Sequence, residues 1–157
     1  MIMKKAKRSL RNLANVSLKK ELIAPCGMDC GVCSAYLAYA HGLPKKKGKI
    51  SHCPGCRPRN KACAFIKRDC DLLKNDKIEF CFSCPVFPCR NLTYIDARYK
   101  TKYGMSFIEN LNYIKKNGLE KFLKKQKKTY GCPRCGDLVC IHNRKCYRCD
   151  TVVSWKE

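Results

Sequence analysis

Apolar residues recur along this chain with different periods, and the changes of period divide it into segments. Ala6, Leu10 and Leu13 fall at helical spacing among lysines and arginines, which reads as a short basic amphipathic helix or as a disordered basic arm. S-A-Y-L-A-Y-A-H over Ser34–His41 is a short helical candidate ending at Gly42. Large apolar side chains are few between Cys53 and Cys84, although Cys63–Leu73 has helical spacing with Cys63 and Cys70 on one face. Pro88 breaks the chain before a helix expected over Arg90–Tyr103. Ser106-Phe-Ile-Glu109 is a capping box, in which hydroxyl and carboxylate satisfy orphan amides reciprocally. The helix it opens runs through Leu111 and Ile114 and stops near Gly118. Leu119–Lys128 then sets Leu119, Phe122 and Leu123 on one face. The other face carries Lys121, Lys124, Lys125 and Lys128, with Lys127 at the edge. Near the end the period drops to two, and the alternation around Leu138–Ile141 and Thr151–Trp155 predicts short strands.

The cysteines change this picture most. There are fifteen in 157 residues, and ten lie between Cys26 and Cys89. Three C-x-x-C pairs stand there (Cys30/Cys33, Cys53/Cys56, Cys81/Cys84), and two more follow as Cys132/Cys135 and Cys146/Cys149. Thiolates two residues apart can be aimed at one soft cation by the turn between them, and two such pairs complete a tetrahedral zinc site. A structural zinc site contributes on the order of 10–16 kcal/mol of folding-coupled binding energy, against about 1.5–3 kcal/mol for a buried leucine. Metal therefore explains the order of the apolar-poor loops better than packing does. The odd cysteine count and the absence of an opening secretory pattern argue against a disulfide scaffold and for a reduced, cytoplasmic protein. Pairing by knuckles gives about three Zn2+ sites. The first is Cys30, Cys33, Cys53 and Cys56, with Cys26 as an alternate ligand or a cap. The second takes four of Cys63, Cys70, Cys81, Cys84 and Cys89. The third is Cys132, Cys135, Cys146 and Cys149, spaced as in a zinc ribbon. Cys140 and His142 read as packing or surface groups, His41 and His52 as minor candidates for ligands, and Asp29 as a turn cap. A [4Fe-4S] cluster in the 26–89 region is the chemical alternative, since it too uses four thiolates. Cys26, Cys30 and Cys33 have the spacing of radical S-adenosylmethionine enzymes, but the repeated strand–helix units of such a barrel are missing.

Charge adds a partner. The formal charge is +22, from 34 Lys and Arg against 12 Asp and Glu; three four-thiolate zinc sites would leave about +16. A compact body so charged calls for a polyanion, and the commonest inside cells is nucleic acid. The expected phosphate contacts are Lys4, Lys5, Lys7, Arg8 and Arg11 in the N-terminal arm, Lys45, Lys46 and Lys47 in an exposed loop, Arg57 and Arg59 beside a knuckle, and Lys124, Lys125, Lys127 and Lys128. Tyr130, Tyr147 and Trp155 are candidates to stack on unpaired bases or to form the ribbon's own core. The expected partner is RNA, foremost rRNA in a large particle. An iron–sulfur or metal-handling redox protein, or a protein–protein adaptor, are the alternatives. No catalytic constellation and no small-molecule substrate site is recognisable, so a non-enzyme is expected. The longest uncharged run, Cys30–Pro44, is too short to span a membrane.

Three stretches carry a family resemblance: I-A-P-C-G-M-D-C-G-V-C-S-A-Y-L, then C-P-G-C, then F-C-F-S-C-P-V-F-P-C-R-N-L. Over roughly residues 22–95 the chain resembles the prokaryotic cysteine-rich family called domain of unknown function 3795. That resemblance implies a metal-binding module of archaea and bacteria and carries no assigned activity. The later F-I-E-N-L segment and ribbon are similar to members with a C-terminal extension. The expected architecture is small, metal-stabilised α+β. It comprises a basic arm (1–21), an irregular Cys-rich metal-binding domain (22–103), a basic helical segment (104–129) and a C-terminal zinc ribbon (130–157).

Overall fold

The computed structural model of the chain describes residues 19–47, 50–59 and 66–154. Lys4, Lys5, Lys7, Arg8, Arg11, Cys63 and Trp155 lie outside the described residues. Among those described, the fold is mostly helical, and strand pairing is limited to isolated antiparallel bridges. Five α-helices follow in order among the described residues: α1 (Ser34–Ala40), α2 (Asp71–Lys74), α3 (Arg90–Tyr103), α4 (Phe107–Asn117) and α5 (Leu119–Tyr130). The last three take the places expected from apolar spacing. The helix expected over Cys63–Leu73 does not form as such, because residues 66–69 are turns and Cys70 is extended, capping the four-residue α2.

Helices α4 and α5 form a hairpin joined by Gly118, whose φ of 88° suits glycine. Their facing sides bury Leu111, Ile114 and Phe122, with Leu111 and Phe122 fully out of water; each such side chain contributes about 1.5–3 kcal/mol. Ser106 Oγ accepts from the Glu109 amide at 3.1 Å as expected. The reciprocal half of the capping box differs, since Glu109 reaches Lys100 at 3.4 Å. The buried Asp96 of α3 supports the start of α4 in another way: its Oδ1 accepts from Ser106 Oγ at 2.8 Å and from the Ile108 amide at 2.9 Å. A carboxylate at a helix start is favoured by the dipole as well, so α3 and α4 are locked end to end.

Around this hairpin the chain between Leu22 and Cys33 serves as the hub. Ile23, Asp29 and Val32 are fully buried. Gly27 O accepts from Asn110 Nδ2 of α4 at 3.0 Å, and Asp29 Oδ2 accepts from Gln126 Nε2 of α5 at 3.1 Å. Asp29 also caps the turn Cys30–Val32 through the Gly31 amide. Burial pushes its carboxyl up to about 6, against the opposing bonds from Gln126 and Gly31. Pro25 O accepts from the Cys81 amide, and Val32 O from the Ile141 amide, both at 2.9 Å. Leu138, Cys140 and Ile141 thereby join the same core as Val32 and Leu37. No described helix is long and apolar enough to cross a membrane.

His142 closes the junction. Its Nδ1 accepts from the Ser34 amide at 3.2 Å, so the proton sits on Nε2, 3.1 Å from Tyr99 Oη. Burial, then the neighbouring Lys102, lowers the imidazole pKa below its ordinary 6.5. A lowered histidine binds fewer protons folded than unfolded, so its contribution is intact above pH 6.5 and falls away as pH drops through the folded value. His142→Gln keeps an acceptor and a donor but cannot titrate. Denaturant melts between pH 7.5 and 5 should show the parent losing stability relative to that variant below about pH 6.5, at no more than about 1.4 kcal/mol per pH unit; parallel curves would refute this.

Candidate metal centre

The C-terminal cysteines are brought together by two copies of one turn. In Cys132-Pro-Arg-Cys135-Gly136 the Gly136 amide donates to Cys132 O at 2.9 Å; in Cys146-Tyr-Arg-Cys149-Asp150 the Asp150 amide donates to Cys146 O at 2.8 Å. Both Gly136 (φ 78°) and Asp150 (φ 61°) are left-handed. The amides of Cys132 and Cys146 in turn donate to Asp137 O and Thr151 O, five residues on in each case. Single bridges flank the knuckles, Gly131 with Leu138 and Lys145 with Val152. These turn bonds use the amides that a longer ladder would need, which is why the alternating pattern yields bridges.

Each knuckle points both sulfurs inward, and all four Sγ atoms lie within 4.8 Å of one another. Cys132 and Cys149 stand 3.6 Å apart, Cys135 and Cys146 3.5 Å. A disulfide requires about 2.05 Å, so these are not bonded pairs. A tetrahedral ion with metal–sulfur bonds of about 2.3 Å puts its ligands roughly 3.8 Å apart. The donor set thus fits a bound metal, and Cys132, Cys135, Cys146 and Cys149 are the residues that would hold it. Burial pushes the Cys146 thiol up. Burial acts the same way on Cys149, but bonds from Thr151, Cys132 and Cys146 outweigh it and hold that thiol below its ordinary range. Four sulfurs in this setting can hold a metal ion such as zinc or part of an iron–sulfur centre.

Beneath the first knuckle lies a contact that spacing does not reveal. Asp137 and His41 are buried, with carboxylate and imidazole 3.4 Å apart, and Asp137 Oδ1 also accepts from the Leu138 amide. Burial lowers the His41 pKa. The pair ties α1 to the knuckle, and an aspartate directly after Cys135-Gly136 is its one trace in the sequence. His52 turns to Leu43 O.

The other cysteines are placed differently. Among the described residues, only the C-terminal quartet meets the 4.8 Å convergence. Cys26, Cys30, Cys53, Cys56 and Cys81 are buried; Cys33, Cys70, Cys84 and Cys89 are half-buried. Cys26, Cys30 and Cys81 lie within electrostatic reach of the Arg57 guanidinium. Arg57, expected at the phosphate-gripping surface, is instead turned inward. It donates to Ile23 O at 2.6 Å and Glu79 O at 3.0 Å and lies 4.7 Å over the Phe80 ring. Tyr130 is also buried, which removes it as a stacking platform, and Tyr147 accepts from Asn143 at 2.8 Å beside the main core. Cys140 is wholly buried. Lys45, Lys46, Lys47, Arg59, Lys124, Lys125, Lys127 and Lys128 are exposed.

Residues 22–94 match the model of a family described as protein of unknown function (DUF3795). The match covers just under half of the chain and coincides with the segment whose motifs carry the resemblance; the C-terminal quartet lies beyond it. No curated protein and no solved structure matches the chain.

Proposed function

We propose that the protein is a metal-stabilised, basic RNA-binding protein, with rRNA or the RNA of another large particle as its partner. The observation that carries this reading is the outer face of α5. Lys121, Lys124, Lys125, Lys127 and Lys128 are all exposed there, and the helix has one acid, Glu120, which lies 3.5 Å from Lys20. Lys115 and Lys116 of α4 extend the exposed positive face around the hairpin. Cations in that density, held on a rigid helix, suit a phosphate backbone, where contacts position without reading sequence. The C-terminal quartet is read as a zinc ribbon whose bound ion supplies a structural cross-link between two knuckles and no catalysis. Its sulfur spacing matches a single ion.

Binding of the metal-loaded protein to single-stranded RNA should weaken linearly in log–log salt. Replacing Lys124, Lys125, Lys127 and Lys128 together by Gln should reduce that slope by roughly 2–3, at about 0.7 for each phosphate no longer neutralised. No RNA affinity at about 50 mM salt sinks the proposal. Recovering the native protein in low salt with and without nuclease separates an RNA partner from an acidic protein.

A further inference from the structure

A cavity of about 340 Å³ lies between α2, the turn Cys81–Ser83 and the start of α3, and four cysteines line it: Cys70, Cys81, Cys84 and Cys89. They come from three separate elements. Cys70 caps α2, Cys81 and Cys84 flank the turn, and Cys89 is the N-cap of the fourteen-residue α3. Cys81 lies within electrostatic reach of each of the other three. Four cysteines lining one cavity make a metal-binding arrangement.

The same molecule supplies the ruler. Its C-terminal quartet has sulfurs 3.5 and 3.6 Å apart, close to the spacing around one ion. The cavity quartet does not share that convergence, since no three of its sulfurs all fall within 4.8 Å of one another. One ion with bonds of about 2.3 Å would need the four sulfurs drawn to roughly 3.8 Å of one another, and would leave most of the space unfilled. A four-iron cubane gives each thiolate its own iron, so its sulfurs stand further apart around a larger body. The remaining walls fit as well. Ile66, Leu72, Ile78 and Phe87 are apolar, the kind of shell that limits solvent access and tunes such a centre. Cys89 sits at the positive end of the α3 dipole, which favours an anionic group. The carboxylates on the rim are engaged outward, Asp69 with Arg68 at 3.0 Å and Asp71 with Lys74 at 3.2 Å.

We propose that Cys70, Cys81, Cys84 and Cys89 hold a [4Fe-4S] cluster, separate from the mononuclear C-terminal centre. Two ferrous and two ferric ions with four sulfides make the doubly positive core. Each thiol releases its proton to solvent as its sulfur bonds one iron, so the assembled centre carries two negative charges. The inference is independent of the RNA reading, and its test uses no nucleic acid.

The full-length chain is reconstituted without oxygen from ferrous and ferric iron and sulfide, with one equivalent of zinc present. The expected product is brown, absorbs broadly near about 400 nm and bleaches on reduction, with four irons and four sulfides per chain. Mapping cysteine alkylation should show Cys70, Cys81, Cys84 and Cys89 protected together by iron and sulfide, while zinc protects Cys132, Cys135, Cys146 and Cys149. Cys84→Ser and Cys89→Ala should lose the chromophore and keep the zinc. The protection map needs no variant, so misfolding of either does not hide the answer. A colourless protein that takes up extra zinc at these four cysteines overturns the proposal, as does iron that protects Cys26, Cys30 and Cys33 instead.

Discussion

Cys146→Ser should leave the metal-loaded protein without an ordered C-terminal segment, at a cost on the order of 10 kcal/mol, the scale of a structural thiolate site. Cys146 is fully buried, its sulfur is 3.5 Å from Cys135, and its amide and carbonyl hold Thr151 and Asp150 in place. The cluster packed directly around the knuckles is small: the four cysteines, Val139 and Val153. So little apolar surface cannot order two knuckles without the cross-link. The damage should also spread, because Leu138, Cys140 and Ile141 of the same segment complete the main core. Chelation of the parent should reproduce it. Metal content, thermal melting and protease sensitivity near residues 130–154 are the measurements, and a variant that melts with the parent would show that the quartet carries no structural load.

Gly27→Ala is the second large effect, on the order of 4 kcal/mol. Gly27 has φ 90°, a conformation costing about 1–3 kcal/mol for a residue with a side chain. A Cβ there would stand 2.6 Å from Phe107 O and 2.9 Å from Leu111 Cγ. Backbone cannot yield as a flexible side chain can, and overpacking adds about 1–3 kcal/mol. The methyl would prise α4 from the hub loop and strain the Asn110 bond to Gly27 O. Urea unfolding should show a large drop in midpoint. Alanine at Gly42, where φ is 62° but no atom lies within 4 Å of the added Cβ, isolates the conformational part and should cost about 1–3 kcal/mol. Equal losses at the two positions would contradict the role given to the α4 contact.

Local signals make part of this fold legible and leave the rest hidden. Apolar spacing, Ser106 and Gly118 place α3, α4 and α5, because those helices are set by their own residues. The C-x-x-C pairs at Cys132 and Cys146 mark their centre, because a knuckle is a local structure. Arg57 is illegible by the same means, since composition shows its charge but not the carbonyls of Ile23 and Glu79 that draw it inward. Asp96 escapes notice as the cap of α4 because its partners lie on the next helix. Cys63–Leu73 has helical spacing, but Cys70 is extended in the structure. The spread of the cavity sulfurs is likewise a tertiary distance that spacing cannot supply.

The hub loop's partners are far along the chain. Asn110 is 83 residues from Gly27 and Gln126 is 97 from Asp29, and the Ile141 amide closes back on Val32 O. Long closures of this kind slow the search for the native topology. During synthesis, the cysteines near the start are made long before the helices and imidazole that will shelter them, so until residue 142 has been added they lack that cover.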